Sequence, residues 1–166
     1  FGRTLLYGID SSAPPPFAQI DIDYSARGRA LFLEQQTEFS REDLKEQADL
    51  MPYKPLFSIA MPLYNAPVKW LKEAVSSLQR QIYPHWELCA VDDGSPNKRA
   101  ASFMRRAARR DARIRFRQNE KNGGISAAMN DCVRLASGEY IALMDQDDEL
   151  TDDALYWMAK EVQEHP

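Results

Sequence analysis

The feature that most constrains this chain is a regular alternation, from Leu56 onward, between short apolar runs and longer segments with helical periodicity. After the first apolar run, Leu71, Val75 and Leu78 recur on one helical face. Repeated β-α-β units of this kind form a parallel sheet flanked by helices. The sequence therefore predicts an α/β fold with a mainly parallel sheet. Its predicted strands are residues 56–61, 86–91, 114–117 and 140–144.

Prolines and glycines indicate where these elements begin and end. Pro62 is predicted to end the first strand, and Pro67 and Pro96 to open the helices that follow. Gly138 is predicted to cap the helix that starts after Gly124. The apolar stripe of that helix, expected to face the core, consists of Ile125, Ala128, Met129, Cys132 and Leu135.

Acidic residues cluster where two predicted strands end, with Asp93 after the second and Asp145 and Asp147 after the last. Open α/β sheets bind ligands at the carboxyl ends of their strands. Asp145 and Asp147 can both turn toward one hard cation, and Mg²⁺ or Mn²⁺ completes its shell with phosphate oxygens and water. The pattern therefore predicts a metal site that serves a nucleotide phosphate.

Acidic residues also favour loops and the first turns of helices, which is an alternative explanation for part of this cluster. It accounts for Asp152 and Asp153, since Thr151 is predicted to cap a helix that runs to about Glu164. It does not account for Asp145 and Asp147. A calcium loop of the EF-hand type is excluded because its sixth and twelfth positions would be Leu150 and Tyr156.

Residues 1–54 lack this alternation and are predicted to form a connector or the edge of a preceding domain. Residues 14–16 are three consecutive prolines, which break regular structure. One helix is predicted after Ser40, with a cap and early acidic residues, and Pro52 and Pro55 end it.

The predicted helix at residues 97–110 and the strand after it carry the main basic patch of the chain. A solvated helix face is one explanation, and contact with an anionic membrane through Arg105, Arg106, Arg109 and Arg110 is the other.

A net charge of −4 does not favour nucleic acid as a partner. No apolar run reaches membrane-spanning length. Two cysteines within apolar patterns suit a reducing compartment, so we expect a cytoplasmic protein, with peripheral attachment at the inner face of the membrane as an option.

Four segments in a fixed order resemble the nucleotide-binding half of family 2 glycosyltransferases, the inverting enzymes of the Rossmann-like GT-A fold. The resemblance covers residues 55–166 and implies a domain boundary at residue 54. It also implies that the acidic loop is the metal-binding D-x-D motif of the family. The segments are residues 58–65 (SIAMPLYN), 91–95 (VDDGS), 122–130 (NGGISAAMN) and 138–148 (GEYIALMDQDD).

This resemblance implies roles for individual residues. Asp93 is similar to the carboxylate that hydrogen-bonds the pyrimidine base, and Pro62 and Tyr64 line the same pocket. Asn122 belongs to the nucleotide-sugar-binding set. Asp147 matches the metal ligand and Asp145 the position that holds ribose or metal. Asp131 departs from the family pattern, which has a small residue there.

The resemblance implies a metal-dependent transferase that moves a sugar from a UDP- or dTDP-sugar to a glycan or lipid-linked acceptor in cell-surface polysaccharide synthesis. The acceptor half of such enzymes supplies the catalytic base, which is expected beyond Pro166, so we assign no catalytic residue and expect these 166 residues alone to be inactive. The alternative is a non-catalytic module that binds a nucleotide sugar.

Overall fold

The computed structural model describes residues 39–164 and the backbone of one short strand near the start of the chain. The predictions for residues 14–16 and for the end of the last helix at His165 and Pro166 lie outside the described residues. No helix in the described part is long and apolar enough to cross a membrane. In chain order, the elements are β1 (Leu6–Tyr7), α1 (Arg41–Leu50), β2 (Phe57–Leu63), α2 (Val68–Gln79), β3 (Trp86–Asp92), α3 (Arg99–Arg110), β4 (Ile114–Gln118), α4 (Ile125–Leu135), β5 (Tyr140–Leu143) and α5 (Ala154–Glu164).

The sheet has the strand order β1-β5-β2-β3-β4. β5, β2, β3 and β4 are parallel, and β1 pairs antiparallel with β5. The mainly parallel sheet predicted from the sequence is therefore confirmed. The chain passes from β2 through β3 to β4 and then returns to β5 on the other side of β2. That reversal opens a crevice at the carboxyl ends of β2 and β5, where α/β sheets bind ligands.

Alternate residues of the central strands face different helices, as the two-residue repeat of a strand requires. Phe57, Ile59 and Met61 of β2 belong to the larger core cluster, which also takes residues from α1, α2, α3 and α5. Ala60 belongs to a smaller cluster with Cys132 of α4. Helix α4 thus covers one face of the sheet, and the other helices cover the opposite face.

The helix predicted after Ser40 is confirmed as α1. The Ser40 hydroxyl caps it and Asp43 returns the bond to the Ser40 backbone, forming a complete capping box. Leu44 and Ala48 are buried in the larger core cluster. Helix α1 therefore packs on the same core as the sheet.

The structure places three element ends differently from the sequence prediction. Pro62 lies inside β2, which runs to Leu63. This is tolerated because β5 pairs with β2 only as far as Ala60, so no neighbour on that side requires an N–H from Pro62. Helix α3 begins at Arg99 and not at Pro96, because a turn separates Pro96 from the start of the helix. Helix α4 ends at Leu135, before Gly138.

The first turn predicted for the last helix is also wrong, since α5 begins at Ala154 and not after Thr151. Asp152 accepts hydrogen bonds from Arg41 at 2.6 Å and from Arg80 at 3.1 Å, which tie α1 and the end of α2 to this loop. Asp153 accepts from the Trp157 indole at 2.8 Å. These two acids hold the loop through side-chain contacts, so they need no helix dipole to explain them.

Candidate functional site

A pocket of about 300 Å³ opens at the crevice between β2 and β5. The ends of three strands and the start of α4 line it. Aromatic, amide and carboxylate side chains therefore meet at one point on the edge of the sheet. The lining includes all six residues that the sequence singled out, namely Pro62, Tyr64, Asp93, Asn122, Asp145 and Asp147.

Asp93 lies at the floor of this pocket and is 2% exposed. Its carboxylate accepts hydrogen bonds from the backbone N–H of Gly123 at 3.0 Å and of Gly124 at 2.8 Å. The Asn119 amide adds a long contact of 3.4 Å. Gly123 also contacts the second oxygen at 3.1 Å, so these donors make four contacts with the two carboxylate oxygens, and the Asn119 contact is the longest of them. Asp93 therefore holds the loop before α4 and also faces the pocket.

The glycines around Asp93 meet requirements of shape. Gly124 has φ +86° and ψ 163°, a conformation essentially restricted to glycine. Gly94 has φ +66°, and a Cβ there would lie 2.6 Å from the backbone N of Asn122. Paired glycines before a helix, such as Gly123 and Gly124, can cradle a phosphate or form a simple turn. Their amides donate to Asp93, so they shape the pocket wall and do not present free N–H groups to a phosphate.

A second layer of polar side chains lies behind Asp93. The Asn119 amide that contacts Asp93 also donates to Asp131 at 3.0 Å, and Asp131 forms ion pairs with Arg117 and Arg134. The hydrogen bonds from Arg117 first, then from Asn119, lower the pKa of Asp131 to about 2. These contacts give the Asp131 carboxylate a structural role. Here a carboxylate anchors the strand that precedes the glycine loop.

The ion pairs of Asp131 should make stability depend on pH. The pKa of Asp131 in the folded protein, about 2, lies below its ordinary value of 3.8. Its contribution is therefore fully present above pH 3.8 and is lost as the pH falls toward 2. We expect the stability advantage of the unmodified chain over Asp131→Asn, measured by urea unfolding, to shrink between about pH 4 and pH 2. A constant difference across that range would show that the ion pairs do not contribute to stability.

Gln146 fixes the acidic loop to the end of β2. Its side-chain oxygen accepts from the Tyr64 backbone N–H at 2.9 Å, and its amide donates to the Tyr64 carbonyl at 3.3 Å. The backbone N–H of Asp148 closes a turn on Asp145 at 3.2 Å. Sequence reasoning missed Gln146 because its partner is 82 positions away.

The two carboxylates predicted to bind metal are exposed, and both line the pocket. Neither the Asp145 nor the Asp147 side chain makes a hydrogen bond or an ion pair with a described residue. Within residues 39–164, no group of three or more His, Cys, Asp or Glu side chains could hold a metal ion. Two free carboxylates suit a cation that takes its remaining ligands from phosphate and water, as Mg²⁺ and Mn²⁺ do.

Ile125 was expected to face the core, and that prediction is wrong. It is 66% exposed and lines the pocket, as does Tyr64, which is 46% exposed. As the first residue of α4, Ile125 points toward the pocket mouth, and the buried residues of the helix are the small Ala128 and Cys132. The pocket thus has an apolar rim above a carboxylate floor.

The family model described as "Glycosyl transferase family 2" matches residues 58–166. Among curated proteins, the chain is 38% identical over 106 residues to the "Putative colanic acid biosynthesis glycosyl transferase WcaA" of Escherichia coli K12, which is 63% of this chain and 37% of that protein.

Among solved structures, the chain is similar to Staphylococcus aureus TarS 1-349 in complex with UDP-GlcNAc, at 29% identity and a TM-score of 0.60 over 66% of this chain and 32% of that one. A mannosyltransferase from Pyrobaculum calidifontis, in complex with GDP-Man and Mn²⁺, matches at 21% identity and a TM-score of 0.56 over 80% of this chain and 41% of that one. The second likeness concerns the fold alone, which in both is the GT-A type. The chain spans less than half of each of these three proteins.

Proposed function

The chain belongs to glycosyltransferase family 2, and from that premise we propose that residues 55–166 form the donor-binding half of a metal-dependent, inverting sugar transferase. The observation that supports this most is the pocket itself. It brings six residues from four separate segments to one edge of the sheet, and two of them are carboxylates without a partner among the described residues.

We propose a UDP- or dTDP-sugar as the donor. Asp93 would accept the N3 proton of uracil or thymine, while Pro62 and Tyr64 contact the base. The UDP-GlcNAc in the TarS structure supports a uracil nucleotide. Asn122, on the loop that Asp93 holds, would contact the sugar-nucleotide portion.

Asp145 and Asp147 would hold Mn²⁺ or Mg²⁺, a cation that neutralises charge on the departing nucleoside diphosphate when it is bound. The residues of the chain position the cation relative to the base. Gln146 fixes the acidic loop against Tyr64, so the carboxylates and the base-contacting residue keep one relative position.

We propose a glycan or lipid-linked acceptor in cell-surface polysaccharide synthesis, in keeping with the E. coli relative named as a putative colanic acid biosynthesis glycosyl transferase. The six residues that the sequence singled out in the pocket all have proposed roles on the donor side. The general base that deprotonates the acceptor hydroxyl is therefore proposed to lie outside these 166 residues, in an acceptor-binding half.

Replacing Asp93 by alanine should reduce affinity for UDP more than affinity for ADP. The N3–H of uracil can donate to the carboxylate, whereas the ring N1 of adenine has no proton to donate, and a hydrogen bond to a charged group contributes about 1.5 to 3 kcal/mol. The variant also frees the Gly123 and Gly124 amides, which should weaken both nucleotides equally. Calorimetric titration with Mn²⁺ measures the loss of affinity for UDP and for ADP, and the ratio of the two losses separates the base contact from the effect on the loop. Equal losses for UDP and ADP would leave Asp93 with a role in the loop alone.

A further inference from the structure

A groove lined by basic side chains runs between α2 and α3, outside the pocket described above. It consists of two adjoining cavities of about 480 and 260 Å³, and Arg106 lines both. No Asp or Glu lines either cavity among the residues that the structure describes. The basic side chains of the groove are Lys72, Lys98, Arg99, Arg106 and Arg110.

These side chains have no acidic partner among the described residues, unlike six arginines outside the groove. Arg41, Arg80, Arg113, Arg115, Arg117 and Arg134 are all in ion pairs with carboxylates. Within residues 39–164, by contrast, the side chains of Lys72, Arg99, Arg106 and Arg110 make no hydrogen bond or ion pair. In a chain with net charge −4, acidic residues are plentiful, so the absence of one here leaves a concentrated positive surface.

One carboxylate that contacts a residue of the groove, Asp111, is already paired with an arginine outside it. Asp111 accepts a hydrogen bond from Gln79, which lines the smaller cavity, at 3.3 Å. It is also held by two hydrogen bonds from the Arg113 guanidinium, at 3.0 and 2.9 Å. Its charge is therefore already neutralised by a residue outside the groove.

The groove begins at the same edge of the sheet as the candidate nucleotide pocket. Val68 and Asn97, at its start, follow the carboxyl ends of β2 and β3. From Arg99 to Arg110 it follows all twelve residues of α3, and the first and last of them are about 16 Å apart at a rise of 1.5 Å per residue. A ligand in the groove would therefore be long, and one end would lie on the side of the donor.

We propose that this groove binds a linear polyanion, a chain that carries phosphate or carboxylate groups at intervals. Guanidinium groups bind both oxyanions through paired hydrogen bonds. An extended chain can enter a concave groove between two helices, whereas a flat membrane surface contacts only what protrudes. Arg105, one of the four residues predicted to contact a membrane, instead donates to Gln118. If the proposed function holds, the polyanion is the acceptor chain, but its binding can be measured without any nucleotide.

The matched variants Arg106→Gln and Arg109→Gln test this proposal. Both remove one charge from an exposed position of α3, but only Arg106 lines the groove. Linear polyphosphate and oligogalacturonate serve as probes in calorimetric titrations of the full chain at low salt. We expect Arg106→Gln to weaken binding of at least one probe about tenfold, as the loss of a charge-assisted contact does. Arg109→Gln should change it less than about twofold.

The measurements must also distinguish binding in the groove from general electrostatic attraction and from binding to a membrane. Equal weakening by both variants would mean that only net charge matters and would overturn the proposal. Binding to vesicles that contain phosphatidylglycerol, with no binding of either soluble probe, would overturn it in favour of membrane contact. The probe that binds identifies the oxyanion, and UDP affinity that Arg106→Gln leaves unchanged separates this site from the donor pocket.

Discussion

Asp147→Asn is expected to weaken Mn²⁺-dependent binding of UDP at least about tenfold, since even the outer partners of metal ligands typically contribute 10- to 100-fold to metal affinity. The Asp147 side chain is exposed and has no partner among the described residues, so its replacement removes a ligand charge without breaking a structural contact. The midpoint of thermal unfolding without metal should therefore stay unchanged. Calorimetric titration of UDP with Mn²⁺ and with EDTA measures the metal-dependent part directly.

Asp148→Asn is the matched control, because Asp148 is the next residue in the loop and does not line the pocket. It loses the same charge from the same loop, so general electrostatic attraction of Mn²⁺ would affect both variants alike. If Asp147 is a metal ligand, Mn²⁺-dependent affinity for UDP should fall strongly in Asp147→Asn and only slightly in Asp148→Asn. Similar affinities in the unmodified chain and Asp147→Asn would remove Asp147 from the site.

The order of elements and the fold class could be predicted from the sequence because periodicity records which residues are buried. The strands at β2 and β3 are apolar over nearly their whole length and are buried at every position. Such strands are typical of a parallel sheet that is covered on both faces. The ends of elements were less predictable. Whether Pro62 could remain inside a strand depended on where its neighbour β5 stops pairing, which no local pattern records.

The candidate site was predictable to the extent that its residues follow strand ends. The topology then brings Asp93 and Asp145 to one edge of the sheet, as expected for this fold. The contacts that fix these residues were not predictable. Gln146 reaches Tyr64, and Asn119 links Asp93 to Asp131, through hydrogen bonds that depend on the three-dimensional packing of distant segments.

Ile125 shows why a hydrophobic pattern can mislead at a binding site. Helical spacing places it on the same stripe as Ala128 and Cys132, which are buried. Ile125 is the first residue of α4, however, and lies beyond the edge of the sheet, so its side chain lines the pocket instead. An apolar residue at a binding surface and an apolar residue in the core give the same pattern in the sequence.

The register of β5 on β2 depends on a buried polar chain as well as on apolar packing. Gly138 donates its N–H to the Ser58 hydroxyl at 2.9 Å, and that hydroxyl donates to Glu87 at 2.7 Å. Burial opposes the ionisation of Glu87, which is 4% exposed. Hydrogen bonds from Ser58 and Ser137 and the ion pair with Arg115 nonetheless hold its pKa below the ordinary value. Because β5 carries the acidic loop at its end, this chain also influences where Asp145 and Asp147 lie.

Gly138→Ala is therefore expected to destabilise the fold by about 3 kcal/mol, at the upper end of the cost of overpacking a closely packed position. A Cβ at Gly138 would lie 2.3 Å from the Leu56 carbonyl oxygen and 2.8 Å from the Ser58 hydroxyl, so the backbone of β2 or β5 would have to move. Gly123→Ala is the matched control, since neither glycine has a positive φ, and the nearest atom to its Cβ is the Ala127 methyl at 3.2 Å. Urea unfolding should show a much larger loss for Gly138→Ala, and Mn²⁺-dependent UDP binding should fall with it as the acidic loop shifts. Equal stabilities for the two variants would mean that β5 can move away from Leu56 at little cost, and that its register is set by the apolar residues alone.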